Sequence, residues 1–137
     1  MGLILDSSVL VAAERAGGNA RHALTEIAVR VPGEDVALSV VTLAELAHGA
    51  ARANTPERKA RRQQFIRDLM AALPVHAVSA SVALRAGQID GESAARGVKL
   101  PLADLLIGVT ALDLGYRVAT DNGRHFEAIP GLAVLAF

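Results

Sequence analysis

The chain contains no cysteine and no tryptophan, and only one tyrosine and three phenylalanines. The absence of cysteine excludes a disulfide framework, a thiol nucleophile and thiolate-held zinc, and fits a reducing cytoplasm. With aromatics at 3%, the core has to be built from Ala, Val, Leu and Ile. The same scarcity argues against the stacking platforms with which single-strand binders read bases. Net charge is missing too: 14 Lys and Arg offset 14 Asp and Glu, so no overall field draws the chain to nucleic acid. Long apolar runs are also absent. The strongest, Leu100 to Ala111, is interrupted by Asp104 and falls short of the roughly 20 residues that span a bilayer. The segment Met1 to Asp6 has no basic stretch and meets a carboxylate too early for a signal peptide. The expectation is a soluble, cytoplasmic protein with no membrane association.

What is present is enough for one domain over residues 1–137: 52% of the residues are apolar, and the mean hydropathy of +0.35 is far from that of disordered chains. Charge is unevenly spread. Arg52, Arg58, Lys59, Arg61, Arg62 and Arg67 crowd one stretch against Glu57 alone. The acids singled out below lie elsewhere, a separation suited to holding both phosphates and cations.

Leu3-Ile4-Leu5 predicts a short buried strand ending at Asp6, with Ser7 or Ser8 capping a helix that Gly17-Gly18 breaks. A second helix is expected from about Asn19 to Val31, a strand over Val36-Ala37-Leu38 and a helix from about Val41 to Arg52. Thr55-Pro56-Glu57 is a helix start, with a cap, a first-position proline and a first-turn acid. That helix runs toward Leu73 with Phe65, Ile66, Leu69, Met70 and Leu73 on one face, and Arg58, Lys59, Arg61 and Arg62 are expected outside this stripe. Strands over Val75–Val78, Val118–Thr120 and Leu132–Leu135, and helices from Ser79 to about Arg96 and from Pro101 to about Leu114, complete the set. Strands alternating with helices imply an α/β fold around a mostly parallel sheet of four to five strands. In such sheets ligands gather beyond the carboxyl ends of the strands, where Asp6 and Asp121 stand.

Four acids compete for attention, each with a bland reading beside the functional one. Asp6 is either a helix cap or a metal-binding carboxylate. Asp104 sits in a segment apolar nearly all round; a helix N-terminus offers about 0.3–1 kcal/mol, while burying a carboxylate costs several kcal/mol, so a cation or an arginine is required. Glu45 fits a capping box with Thr42, or lies free on the second turn if Ser39 is the cap. Asp121 and Asn122 enter a tight polar turn announced by Asn122-Gly123. His125 is read as a turn or surface residue, since His22, His48 and His76 form no metal-ligand spacing with it. Oxygen ligands without cysteine or a histidine cluster point to Mg²⁺, with Mn²⁺ also suitable, rather than zinc.

Leu3-Ile4-Leu5-Asp6-Ser7-Ser8-Val9-Leu10, Ser39-Val-Val-Thr-Leu-Ala-Glu45-Leu, Ala103-Asp104-Leu-Leu-Ile107, Thr120-Asp121-Asn122-Gly-Arg-His-Phe126 and the closing Ile129-Pro130-Gly131-Leu132 together resemble a PIN domain. More narrowly they resemble the VapC toxins of bacterial and archaeal toxin–antitoxin pairs. The resemblance implies a three-layer α/β/α PIN-like fold and a Mg²⁺-dependent endoribonuclease that cuts tRNA or rRNA with a metal-activated water. It also implies a homodimer neutralised by a VapB-type antitoxin. Carried over by position, Asp6 and Asp104 become metal ligands and Glu45 the third acid that orients the water, with Ser7 and Thr120 in support. The family's fourth acid falls at Asn122, whereas the acid here is its neighbour; either Asp121 turns inward as a catalytic residue or Asn122 supports the site as a neutral group. Arg58, Lys59, Arg61 and Arg62 are read either as a solvated face or as contacts to RNA or antitoxin.

Three rivals remain. A haloacid-dehalogenase-type phosphatase would need a second Asp where Ser8 stands. A DNA-directed nuclease of the same fold shares the acids, and an inactive PIN-like module would bind a partner through the same pocket.

Overall fold

The computed structural model describes residues 1–137, the burial of Gly17 excepted. Among the described residues the elements are β1 (Gly2–Leu5), α1 (Ser7–Gly17), α2 (Ala20–Arg30), β2 (Asp35–Ser39), α3 (Val40–Ala51), α4 (Pro56–Ala72), β3 (Val75–His76), α5 (Ala80–Ala95), α6 (Leu102–Leu114), β4 (Arg117–Thr120), α7 (Arg124–Glu127) and β5 (Val134–Ala136). The five strands form one parallel sheet in the order β3-β2-β1-β4-β5. The chain winds outward from β1 to β3 on one side and from β4 to β5 on the other. The direction of winding therefore reverses between β1 and β4, which opens a crevice at their carboxyl ends.

Alternation along β1 assembles the layers. Leu3 and Leu5 face a core shared with Val9 and Leu10 of α1, Ile27 of α2, Leu46 of α3 and Phe65 and Leu69 of α4. Ile4 faces the opposite core, with Val82 and Ala86 of α5, Leu105, Ile107 and Val109 of α6 and Phe126 of α7. Both faces of the strand are covered, so a run of three aliphatic residues replaces the polar alternation of a half-exposed strand.

Caps fix the helix starts that matter here. Ser39, Thr55 and Ser79 accept hydrogen bonds from the backbone N–H of Val41, Arg58 and Val82, respectively. Gly18 ends α1 with φ at 84°, a left-handed conformation that a side chain would strain. No helix among the described residues is long and apolar enough to cross a membrane.

Four sequence expectations need correction. The strand expected over Val75–Val78 is only Val75–His76. The last strand, expected over Leu132–Leu135, is Val134–Ala136, because Leu132 instead packs against the bare backbone of α6 at Gly108. The tight turn after Thr120 contains a short helix, α7. On α4, Arg62 does not stand off the apolar stripe: it is half-buried and lines a cavity with Phe65 and Ile66, while Arg58, Lys59 and Arg61 are exposed as expected and Met70 is 51% exposed.

Candidate active site

Asp6 leaves β1 at the crevice, and its backbone N–H donates to Ala119 O of β4 at 2.9 Å. It occupies the cap position of α1, yet its carboxylate makes no capping bond. Its Oδ2 accepts from Ser8 Oγ at 2.8 Å and Thr120 Oγ1 at 2.9 Å, and the residue is 7% exposed. Two hydroxyls from different elements thus lock its rotamer through one oxygen.

Glu45 reaches the same end of the sheet from α3. Ser39 holds the cap, so Thr42 is free to donate from Oγ1 to Leu5 O at 3.3 Å, tying α3 to β1. Glu45 is therefore no part of a capping box; its Oε1 accepts from Ser7 Oγ at 3.1 Å. Asp104, in the first turn of α6, is half-buried rather than enclosed, and its Oδ2 lies 2.8 Å from His125 Nδ1. A carboxylate oxygen accepts, so Nδ1 of His125 carries the proton it donates.

The electrostatics tie the three acids together. Burial, followed by repulsion from Asp6 and Asp104, pushes the Glu45 carboxyl above its ordinary value against the lowering bond from Ser7. Burial likewise raises Asp104, reinforced by Asp6 and opposed by the bond and the charge of His125. Among the described residues no lysine or arginine pairs with any of them; the ion pairs are His22–Glu26, Arg62–Glu14, Arg117–Glu34 and His125–Asp104. Also among the described residues, no three Asp, Glu or His side chains converge closely enough to enclose an ion. A pair of carboxylates on separate elements still fits Mg²⁺, which takes one or two carboxylates and keeps most of its water.

Asp121 stands outside this group. It is exposed, and it lines a cavity of about 220 Å³ between α1, α2 and the C-terminal Phe137, away from Glu45 and Asp104. What the turn brings to the site is backbone: the N–H of Asp121 donates to Ser8 Oγ at 3.2 Å and that of Asn122 to Thr120 Oγ1 at 3.0 Å, stiffening the hydroxyls that hold Asp6. Ser7 and Thr120 are where they were expected. Ser8 and His125 were not anticipated; 21 residues separate His125 from Asp104, and only the closure of α7 on α6 joins them. Arg58, Arg61 and Arg62 line a groove with Glu14, Arg15 and Gly18, and Lys59 is not part of its lining.

Comparison with known proteins agrees with this architecture. The PIN domain model matches residues 3–132. The tRNA(fMet)-specific endonuclease VapC of Salmonella typhimurium strain LT2 is 33% identical over 97 residues, 71% of this chain and 71% of that protein. In fold, the chain superposes on VapBC2 of Rickettsia felis bound to a promoter DNA fragment, with a TM-score of 0.82 at 23% identity over 100% of this chain and 99% of that one. VapBC-5 of Mycobacterium tuberculosis, a member of the VapBC family of toxin-antitoxin systems, gives 0.74 at 24% identity over the whole of both chains. With the strand order, the acids after β1 and in α3 and α6, and a family match across nearly the whole length, this chain belongs to the PIN domain family, among the VapC proteins.

Proposed function

We propose that this chain is a metal-dependent endoribonuclease, the toxin of a VapBC-type pair, which hydrolyses phosphodiester bonds in structured RNA such as tRNA or rRNA. It acts in the cytoplasm as a homodimer and is silenced by a VapB-type antitoxin. One observation carries the reading: Asp6, Glu45 and Asp104 come from three elements to one end of the sheet, burial and the neighbouring Asp6 make Glu45 and Asp104 costlier to ionise, and among the described residues no lysine or arginine pairs with any of them. The name of the Salmonella relative supports RNA as substrate, and the VapBC complexes support an antitoxin partner.

Asp6 and Asp104 would hold Mg²⁺ or Mn²⁺, their oxygens being the hard donors these ions take. When bound, such an ion lowers the pKa of water and offsets charge on the phosphate. The chain's own residues do the positioning. Ser8 and Thr120 fix Asp6 at Oδ2, and His125 fixes Asp104 at Oδ2. Ser7 holds Glu45 at Oε1, leaving Oε2 to orient an attacking water and take its proton. A carboxylate whose proton affinity is raised suits that task better than one in open water.

The test is cleavage of structured RNA and of DNA by the purified chain, with Mg²⁺ or with EDTA, repeated with Asp6→Asn. Cleavage of RNA that needs the metal and disappears in the variant is expected. Cleavage of DNA alone, or undiminished activity of Asp6→Asn, would overturn the reading.

A further inference from the structure

The groove on α4 lies close to the acids. Arg15 of α1 and Arg58, Arg61 and Arg62 of α4 line it, with Glu14 as the one carboxylate. Glu14, Arg15 and Arg62 also line a neighbouring cavity of about 230 Å³, which Glu45 lines too. The two hollows share these three residues, so the groove on α1 and the first half of α4 adjoins the cavity that Glu45 lines. Arg62 sits at their junction, its Nη1 donating to Gly49 O at 2.8 Å and its Nε 3.8 Å from Glu14. It is held by the protein, whereas Arg15, Arg58 and Arg61 are exposed.

We propose that this groove binds the phosphate backbone of the substrate strand to one side of the cleaved bond. The proposal rests on the nuclease reading above and names the side chains that would position the RNA. A strand whose phosphodiester lies at Asp6, Glu45 and Asp104 has to leave the crevice as a regular polyanion, and the acids themselves repel it. The arginines supply the opposite charge where the crevice opens. Among the described residues no aromatic ring lines the groove itself, Phe65 belonging to the neighbouring cavity, so bases are not stacked in the groove and binding there is blind to sequence. A peptide docking in a groove needs apolar pockets for its side chains; Val11, Leu46, Phe65 and Ile66 offer them only in the neighbouring cavity, whereas the groove itself is lined by arginines, one glutamate and one glycine.

The test uses the full chain in EDTA, so that binding is read without cleavage, with a short fluorescein-labelled oligoribonucleotide of mixed sequence. Each arginine withdrawn from a phosphate should lower the slope of log affinity against log salt by about 0.7, so Arg58→Ala/Arg61→Ala should lower it by about 1.4 between roughly 50 and 200 mM salt. Arg15→Ala, on a different helix, should lower it by about 0.7, which guards against a loosened α4 as the cause. Lys59→Ala/Arg67→Ala removes two cations of α4 that lie off the groove and should leave the slope unchanged. Equal losses in the groove and control variants, or no loss in either, would overturn the proposal. So would an oligoglutamate peptide whose binding is lost in Arg58→Ala/Arg61→Ala while RNA binding persists. The two readings fail separately: metal-dependent cleavage with an unchanged KM in the groove variants removes the groove and keeps the nuclease, whereas groove-dependent binding without any cleavage does the reverse.

Discussion

The two ends of the one parallel sheet treat sequestered charge in opposite ways. At the amino end Glu34, just ahead of β2, meets Arg117, the first residue of β4, at 2.8 Å, with side chains 20% and 28% exposed. At the carboxyl end Asp104 is equally shielded at 20% and Asp6 is 7% exposed, yet among the described residues no guanidinium or ammonium pairs with either. Desolvation costs a carboxylate the same at both ends. The first end meets that cost with an oppositely charged arginine built into the fold, and the second with only the hydroxyls of Ser8 and Thr120 on Asp6 and the ring of His125 on Asp104. A closed pair is structure; the acids without a cationic lysine or arginine are where the proposed cation would bind.

The sharpest way to break this contrast is to remove one charge from the open end. Replacing a group that merely orients a metal ligand costs about 10- to 100-fold, so Asp104→Asn, which alters a proposed ligand, should lower RNA cleavage by at least about 100-fold. Asp121→Asn should leave it within about twofold, since surface substitutions shift free energies by about 0.5 kcal/mol or less. Initial rates on the same RNA at saturating Mg²⁺ decide the matter. Equal losses in the two variants would return Asp121 to the catalytic group.

At the closed end the expected effect is on stability rather than activity. Stripping one partner from a fully buried pair costs about 3–5 kcal/mol, and this pair is partly exposed, so Arg117→Ala should cost about 1–3 kcal/mol. Glu34 Oε2 and Arg117 Nε already lack hydrogen-bond partners among the described residues, which leaves the glutamate little other support once the arginine is gone. Urea midpoints at constant slope measure the loss, and kcat of the folded fraction should not move. A silent Arg117→Ala would mean that the two ends differ in appearance only.

Much of this arrangement is legible in the sequence wherever the signal is local. Leu3-Ile4-Leu5 is buried on both faces, so three adjacent aliphatic residues announce the central strand and place Asp6 at its end. Thr55-Pro56 and Ser79 mark helix starts by chemistry confined to one turn. Ser39 and Thr42 both offered a cap for α3, and the choice between them needed β1, whose Leu5 carbonyl claims the Thr42 hydroxyl. Pairings closed only by folding were not legible. Nothing near His125 predicts Asp104, because α7 is a single turn too short to show a period. Asp121 misleads for a related reason: a strand end supplies an acid, but the next φ/ψ pair decides which way it points. On α4 the helical spacing of Arg58, Arg61 and Arg62 with Phe65 is plain in the sequence. Hydrophobicity alone hides a face that is half basic and half apolar.

The smallest expected effect is thermodynamic and follows from the raised carboxyl of Glu45. Its folded form holds a proton more tightly than the unfolded chain does, so between the two values the native state binds more protons and stability falls as pH rises. Glu45→Gln keeps an oxygen for the Ser7 hydroxyl and removes the charge. Below the unfolded value of about 4.3 both chains are neutral at this position, and their melting temperatures should agree. As pH climbs through the raised folded value, wild type alone acquires the repulsion from Asp6 and Asp104. In EDTA near neutral pH the variant should therefore melt higher, by about 3 °C. Saturating Mg²⁺ should shrink or reverse that gap, because a cation that binds only the folded form stabilises the protein carrying the full set of acids. A gap that is the same at every pH, or indifferent to Mg²⁺, would mean that Glu45 is already compensated within the protein, and the open end of the sheet would then be as closed as the pair of Glu34 and Arg117.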